Sequence, residues 1–197
     1  MAVARADLAS IVSFLTELDR LKLVYRKAYV RDLSRHENSA EHSWHLAIAL
    51  LTFAPELDLP IDVARAVSMA LVHDVCEIDG GDVSVYDPGY KDKELAERAC
   101  VERLAAYPPA FASRMRELWL EYEAQETIES RWVRVFDRVM PFIVSLATQG
   151  RAWRDQGIRK SQVLKVHEPI RQLAPDIFAW MAGEIDECVR RGWLIDE

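Results

Sequence analysis

Apolar residues recur at helical spacing along nearly the whole chain. At the start of the chain, this spacing predicts an amphipathic helix that ends at about Lys22. The apolar face of this helix is formed by Leu8, Ile11, Val12, Leu15 and Leu18. No alternation of apolar and polar residues persists beyond a few positions, as a half-buried strand would require. The pattern is typical of an all-α protein.

Capping residues, prolines and glycines divide the rest of the chain into further helices. Asn38 stands three residues before Glu41, an Asn-x-x-Glu form of the capping box that opens a helix to about Phe53. The next helix starts at Asp62 and continues through Val75, stopping before a pair of glycines. Other helices are predicted at about 92–106, 111–125, 129–149, 163–173 and 175–191, with a basic segment at 23–36 and an irregular one at 153–157.

Length and composition narrow the class of protein. With 197 residues, no internal repeat and no linker-like segment, the chain is predicted to be a single domain over residues 1–197. Its formal net charge of -7 argues against a nucleic-acid polymer as partner. No apolar run has the length of a membrane span or a signal peptide, so no membrane partner is expected. Three widely spaced cysteines indicate reduced thiols and a cytoplasmic protein.

A histidine and two carboxylates lie close together just before the glycine pair. Since successive side chains on a helix turn by about 100°, His73 and Glu77 are predicted about 40° apart, with Asp74 on the far side of Glu77. Placing three ionisable groups on a mostly apolar helix costs desolvation energy, which a divalent cation would offset. The alternative is an ordinary solvated, hydrogen-bonded pair on a helix surface, and these residues alone do not decide between the two.

The same residues belong to a longer series of motifs. The series comprises Glu41-His42-Ser43, His73-Asp74, the acidic stretch Glu77–Asp82 and Asp137 in a late, long helix. In combination it resembles the HD-domain superfamily. The stretches Arg20–Arg26 and Glu37–Ser43 are similar to the 5'-deoxynucleotidase branch of HD phosphohydrolases, and Glu117–Glu123 to their eukaryotic HD-domain-containing relatives. The resemblance covers roughly residues 8–149, with the metal-site core at about 20–149, whereas the C-terminal helices at 163–191 match nothing functional.

The resemblance implies a single all-α HD-domain helical bundle that holds one divalent metal ion. The four implied ligands are His42, His73, Asp74 and Asp137. A mixed nitrogen and oxygen set suits Mn, Co, Fe, Ni or Zn better than Mg, which prefers oxygen ligands and water.

The resemblance also implies roles in catalysis and substrate binding. Glu77 matches the acidic residue that orients or deprotonates the attacking water, and Asp74 belongs to the catalytic set as well as to the ligands. Arg26 matches a catalytic and phosphate-binding arginine, and Asp82 a residue near the sugar hydroxyl. Lys27, also assigned to substrate binding, stands where that branch carries a tryptophan that packs on the substrate. The chain therefore lacks the flat aromatic surface that this tryptophan provides.

The implied activity is metal-dependent hydrolysis of a small-molecule phosphoester, a (deoxy)nucleoside 5'-monophosphate, to nucleoside and phosphate by a homodimer. Within the enzyme class, the alternative is an HD hydrolase of another small phosphoester or a nucleoside triphosphate. Outside it, the alternative is a non-catalytic metal-binding helical module. Glu77 and Arg26 favour catalysis, because neither is needed merely to hold a metal.

Two features of the C-terminal part lie outside the resemblance. Trp153 falls in the basic, irregular segment, which is either a lid facing the substrate or, as the composition favours, a solvated surface. The last helix carries apolar side chains with enough area to cover another surface, namely Ile177, Trp180, Met181 and Ile185.

Overall fold

The computed structural model describes residues 6–87 and 94–197, which form ten α-helices and one two-stranded antiparallel sheet. The helices are α1 (Leu8–Asp19), α2 (Ser39–Glu56), α3 (Val63–Val72), α4 (Glu77–Gly80), α5 (Glu94–Ala105), α6 (Ala110–Ala124), α7 (Ile128–Ala147), α8 (Arg151–Asp155), α9 (Lys160–His167) and α10 (Pro175–Arg190). The sheet pairs β1 (Tyr25–Tyr29) with β2 (His36–Asn38), and 3-10 turns follow α1 at Arg20–Leu23 and α9 at Glu168–Gln172. The all-α fold class is confirmed. The start of the helix predicted at 92–106 lies outside the described residues.

Four helices build the core that carries the site. Helices α2 and α3 pack against each other and both pack against α7, while α6 covers α3 and α7. Each of these helices contributes core side chains that are at most 1% exposed, among them Leu50 of α2, Met69 of α3, Leu118 of α6 and Phe136 of α7. These side chains recur at the helical period that the sequence shows. Among the described residues, no helix combines the length and the apolar character that crossing a membrane requires.

The predicted capping box at the start of α2 is confirmed. The Asn38 side chain accepts a hydrogen bond from the Glu41 backbone N–H at 2.9 Å, and the Glu41 carboxylate accepts one from the Asn38 N–H at 3.0 Å. The two bonds satisfy backbone donors that the first turn of a helix leaves unpaired. They fix the start of α2 one turn before His42.

A hairpin occupies the basic segment that the sequence left without structure. Its strands pair Tyr25 with Asn38 and Tyr29 with His36, with an irregular register between the two pairs. The strands are five and three residues long and carry charged side chains, so the period-two signal is too short to recognise. The hairpin rests on α7 and α8, and it presents Arg26 from β1 to the bundle.

The helix predicted to run through Val75 ends at Val72 instead. From there the backbone N–H of Val75 bonds to the carbonyl of Val72, and that of Glu77 to the carbonyl of Asp74. Such i to i+3 bonds wind the chain at about three residues per turn. The prediction that His73, Asp74 and Glu77 share one edge of a regular helix is therefore wrong, although the turn still brings them to one place.

Two boundaries in the C-terminal part also differ from the prediction. The segment predicted to be irregular overlaps the short helix α8 (Arg151–Asp155). Helix α9 ends at His167, where the chain continues into a 3-10 turn around Pro169. Gly150, which separates α7 from α8, has φ of 68°, and a Cβ there would collide with the backbone carbonyl of Trp193. The glycine thus permits the close approach of the chain end to α8.

Replacing Asn38 with Ala is expected to lower the free energy of unfolding by about 1 kcal/mol, because the backbone donor at Glu41 loses its acceptor. Chemical denaturation measures the change. Asn38→Ser keeps an oxygen acceptor at the cap and is expected to cost only a small part of that amount. Equal losses in the two variants would contradict the capping role.

Candidate metal centre

Two histidines and an aspartate from separate helices meet at the centre of the bundle. His42 lies on α2, His73 directly follows α3, and Asp137 lies on α7. One ligand atom from each lies within 4.8 Å of the other two. The Nε2 atoms of His42 and His73 are 2.9 and 3.4 Å from the same oxygen, Oδ1 of Asp137. The two imidazoles are buried, at 2% and 3% exposure.

The orientation of His73 is fixed by the backbone. Its Nδ1 lies 2.8 Å from the carbonyl oxygen of Ala70, which can only accept, so Nδ1 carries the proton. Its Nε2 is buried and makes no hydrogen bond. The carboxylates of Asp74 and Asp137 beside this nitrogen favour a cation there, either a proton or a metal ion. A buried, unpaired donor atom of this kind fits a metal ion.

Asp74 borders the same cluster. Its Oδ1 lies 3.1 Å from His73 Nε2 and its Oδ2 lies 3.8 Å from His42 Nε2. The same Oδ2 accepts a hydrogen bond from Arg26 Nη1 at 2.9 Å. All four residues that the resemblance assigns to the metal therefore lie together, and they supply two imidazole nitrogens and two carboxylates. This donor set fits a divalent transition metal or zinc.

Burial and neighbouring charge shift the pKa values of the cluster in opposite directions. Burial lowers the pKa of His42 to about 4, and the charge of Arg26 acts in the same direction. Burial acts on His73 likewise, but Asp74 and Asp137 outweigh it and raise the pKa of His73 to about 10. Burial alone would raise the pKa of Asp74 and Asp137, yet the adjacent imidazoles hold both well below the usual range. Both carboxylates thus stay ionised.

A tyrosine that the sequence analysis missed holds the aspartate of α7. The hydroxyl of Tyr122 on α6 donates a hydrogen bond to Asp137 Oδ2 at 2.7 Å. Its ring meets the imidazole of His73 edge to face, with 5.2 Å between centroids. Burial, the largest cause, and the charge of Asp137 raise the pKa of Tyr122 well above its usual range, so it remains a donor. Tyr122 lies within the Glu117–Glu123 stretch, which the sequence analysis compared with relatives without giving this residue a role.

Arg26 lies among four carboxylates beside the cluster. In addition to its bond to Asp74, its Nη1 is 3.4 Å from Asp82 and 4.0 Å from Glu77, and its Nε is 3.5 Å from Glu37. The guanidinium is largely buried, with 14% of the side chain exposed. Its Nε is buried, faces Glu37 and makes no hydrogen bond with the described residues. The three residues predicted beside the metal, Arg26, Glu77 and Asp82, are thus adjacent to one another.

Two buried glutamates line this side of the site. Glu77 accepts a hydrogen bond from Ser39 Oγ at 2.5 Å, and burial together with Asp74 raises its pKa to about 8 against the charge of Arg26. Burial raises the pKa of Glu37 to about 7, again opposed by Arg26. The sequence analysis quoted Glu37 and Ser39 within a motif but gave them no chemistry, because only the tertiary contacts reveal their partners.

A single cleft leads from the cluster to the C-terminal part of the chain. One end is lined by Arg26, Asp74, Glu77, Asp82 and Asp137. Lys27 also lines the cleft, from an exposed position. The other end is lined by side chains of the 83–86 loop, α7, α8 and α9. Trp153 lies there at 3% exposure, so the expectation of a solvated surface is wrong for this residue.

Comparison with known proteins gives a consistent result. The sequence profile described as "HD domain" matches residues 18–178. The chain is 29% identical over 189 residues to the 5'-deoxynucleotidase HDDC2 of Xenopus laevis, covering 92% of each chain. It is 30% identical to the human 5'-deoxynucleotidase HDDC2 over 66% of this chain and 63% of that one. A crystal structure titled as a predicted metal-dependent phosphohydrolase of Magnetospirillum magnetotacticum MS-1 superposes with a TM-score of 0.86 at 37% identity, covering 95% of this chain and 98% of that one.

Tyr122→Phe is expected to weaken metal binding about 10- to 100-fold, because the hydrogen bond that orients Asp137 is lost while the ring stays in place. Competition titration with a chromogenic chelator measures the affinity. Tyr107→Phe is the control, since that ring packs on Phe14 away from the cluster. An unchanged affinity in Tyr122→Phe would contradict the supporting role.

Proposed function

This chain belongs to the HD domain family, and from that membership together with the buried cluster we propose that it hydrolyses 2'-deoxynucleoside 5'-monophosphates to nucleoside and phosphate. It is a metal-dependent phosphohydrolase. The substrate is carried over from relatives named 5'-deoxynucleotidases. The observation that supports it best is a permanent cation, Arg26, held beside two imidazoles and two carboxylates in one cleft.

His42, His73, Asp74 and Asp137 would hold the divalent ion, with the two histidines and Asp137 as its closest set. When bound, the ion supplies an acidified water and a positive charge for the phosphoryl oxygens. Mn, Co, Fe, Ni and Zn fit the mixed nitrogen and oxygen set better than Mg.

Arg26 binds the phosphate of the substrate. A guanidinium offers donors in a planar fork that matches phosphate oxygens, and it keeps its charge at any physiological pH. Its strand places it against Asp74 on one side and Asp82 on the other. A phosphate bound by Arg26 would lie next to the four candidate metal ligands. Asp82 would then face the sugar attached to this phosphate.

Glu77 accepts the proton of the attacking water. Its carboxylate is buried, it is fixed by Ser39 at 2.5 Å, and Oε1 lies 4.0 Å from the arginine that holds the phosphate. A carboxylate held beside the phosphate-binding arginine is placed to accept that proton. Ser39 acts through Glu77 and is a positioning residue.

Phosphate release by the metal-stripped protein, resupplied with Mn, Co, Zn or Mg, tests the proposal. Phosphate release is expected from deoxynucleoside 5'-monophosphates, and only when a metal is resupplied. Mn, Co or Zn is expected to support a higher rate than Mg. Glu77→Gln is expected to lower kcat about 100-fold or more, because the proton acceptor is lost, while the metal content stays the same. Glu117→Gln is the matched control, because this carboxylate is exposed on α6 and pairs with Arg114.

Other outcomes would contradict parts of the proposal. Phosphate release only from triphosphates, or only from other phosphoesters, would show that the substrate is one of those compounds instead. Metal binding without any release, and no effect of Glu77→Gln, would favour the non-catalytic metal-binding module. Loss of metal in Glu77→Gln would make this residue a ligand rather than a proton acceptor.

We further propose that the protein is a cytoplasmic homodimer. The three cysteines are free and buried in the structure, as suits a reducing compartment. On the last helix, Met181 and Ile185 are at most 1% exposed, whereas Trp180 is 43% exposed and Ile177 is half-buried, so α10 keeps part of the apolar surface that the sequence predicts. Exposed apolar side chains also recur on α1 and α2, including Val12, Leu15, Trp44, Ile48 and Leu51.

The double variant Trp44→Glu with Leu51→Glu is expected to be monomeric, because two charges enter one exposed face of α2. Sedimentation velocity measures the mass in solution. Phe111→Glu, at an exposed apolar position of α6, serves as control and is expected to leave the dimer intact. A wild-type protein that sediments as a monomer would contradict the dimer.

A further inference from the structure

A groove outside the cleft lies between α7, the end of α6 at Gln125 and the 3-10 turn at Glu168–Gln172. Its volume is about 620 Å³, and Arg131, Arg134 and Arg138 line it from α7. Small-molecule sites in proteins have volumes of roughly 300–1,000 Å³. We propose that this arginine-lined groove binds a small ligand that carries a short chain of phosphates, in addition to the phosphoester that the cleft takes.

The helical period places the three arginines on one face of α7. Arg134 and Arg138 follow Arg131 by three and seven residues, which are positions that an α-helix brings to the same side. At 1.5 Å per residue, Arg131 and Arg138 are separated by about 10.5 Å along the helix axis. A row of guanidinium groups over this length suits a chain of several phosphates better than one small anion.

Two of these guanidinium groups have no carboxylate partner in the part of the chain that the structure describes. Arg131 donates from Nε to the backbone carbonyl of Gln125 at 3.0 Å. Arg138 donates from Nη1 to the backbone carbonyl of Val166. A guanidinium group carries five N–H donors, so these bonds leave donors of both side chains for a ligand. Backbone carbonyls fix the two side chains but do not neutralise their charge.

An excess of positive charge in one groove contrasts with the charge of the whole chain. The sequence has 32 acidic and 25 basic residues, and arginines elsewhere have acidic partners, such as Arg65 with Glu121 at 2.5 Å. In the groove, Arg134 has such a partner in Glu123 at 3.4 Å. None of the described residues that line the groove is itself acidic. An anion from solution would therefore supply the charge that the lining lacks.

The side chains of the groove define the chemistry of the ligand. Guanidinium groups bind phosphate oxygens through two parallel hydrogen bonds, which makes arginine the usual residue for this anion. Across from α7, Gln172 adds an exposed amide, and Pro169 and Leu173 add apolar surface that is exposed and half-buried. Inorganic triphosphate and a nucleoside triphosphate share the phosphate chain that the arginines would bind. They differ in the organic group that could contact Pro169 and Leu173.

The groove can be altered without altering the cleft. Arg134 and Arg138 line both, whereas Arg131 and Gln172 line only the groove. A triphosphate that bound in the cleft would therefore depend on neither Arg131 nor Gln172. Variants at these two positions distinguish the two places.

Isothermal titration calorimetry of the full chain with inorganic triphosphate and with adenosine 5'-triphosphate tests the proposal. Arg131→Gln is expected to weaken binding about tenfold or more, because a hydrogen-bonded charge is lost. Gln172→Glu is expected to weaken binding as well, because a carboxylate enters the groove and competes for the arginines. Arg31→Gln is the matched control, since it removes the same charge from an exposed turn that does not line the groove.

Weaker binding in both groove variants, with unchanged binding in Arg31→Gln, supports the proposal. Tighter binding of the nucleotide than of inorganic triphosphate would then identify a nucleotide as the ligand, and equal binding would identify the free phosphate chain. No binding at millimolar ligand, or equal binding by the wild-type protein, Arg131→Gln and Gln172→Glu, would overturn it. Thermal unfolding without ligand confirms that each variant is folded.

This proposal and the proposed function fail separately. Phosphate release from deoxynucleoside 5'-monophosphates involves neither Arg131 nor Gln172, so both variants are expected to keep the wild-type rate when no triphosphate is present. A protein that binds triphosphate in the groove but releases no phosphate would contradict only the proposed function.

Discussion

Charge buried where three helices meet is the constraint on which the rest of the site depends. Asp74 and Asp137 stay ionised in the protein interior, where an unpaired carboxylate costs several kcal/mol. Arg26 and His73 offset this cost, so two negative groups face two groups able to carry a positive charge. A divalent ion brings the same charge to the same place. The site is therefore stable only as a set, and removing any member leaves another buried without its partner.

Local rules explain why part of this structure is predictable from the sequence. The capping box at Asn38 depends on residues three apart, and it alone determines where α2 begins and that His42 lies inside it. The apolar period likewise determines which faces of α2, α3 and α7 are buried. The resemblance to the HD-domain superfamily then implies four metal ligands, and the fold brings all four together.

The remaining features depend on contacts between distant parts of the chain. In the turn after Val72, His73 contacts the nearby Ala70 carbonyl while Glu77 binds the distant Ser39, and no helical period encodes the second contact. Tyr122 and Glu37 matter only because of what they touch. The basic residues around Trp153 predict a solvated loop. Trp153 is nevertheless buried, because α7, α8 and the 83–86 loop pack together around it.

The two ends of the cleft differ in origin as well as in chemistry. The charged end is built from residues 26–137, where the recognised motifs are dense. The far end is built largely by the second half of α7 with α8 and α9, where no motif was recognised although the family profile extends to residue 178. A fold does not by itself specify a substrate, because different side chains can be placed on the same frame. Here the charged end carries the groups proposed to hold the metal and the phosphate, and the far end is where the rest of a substrate would meet side chains of α7, α8 and α9.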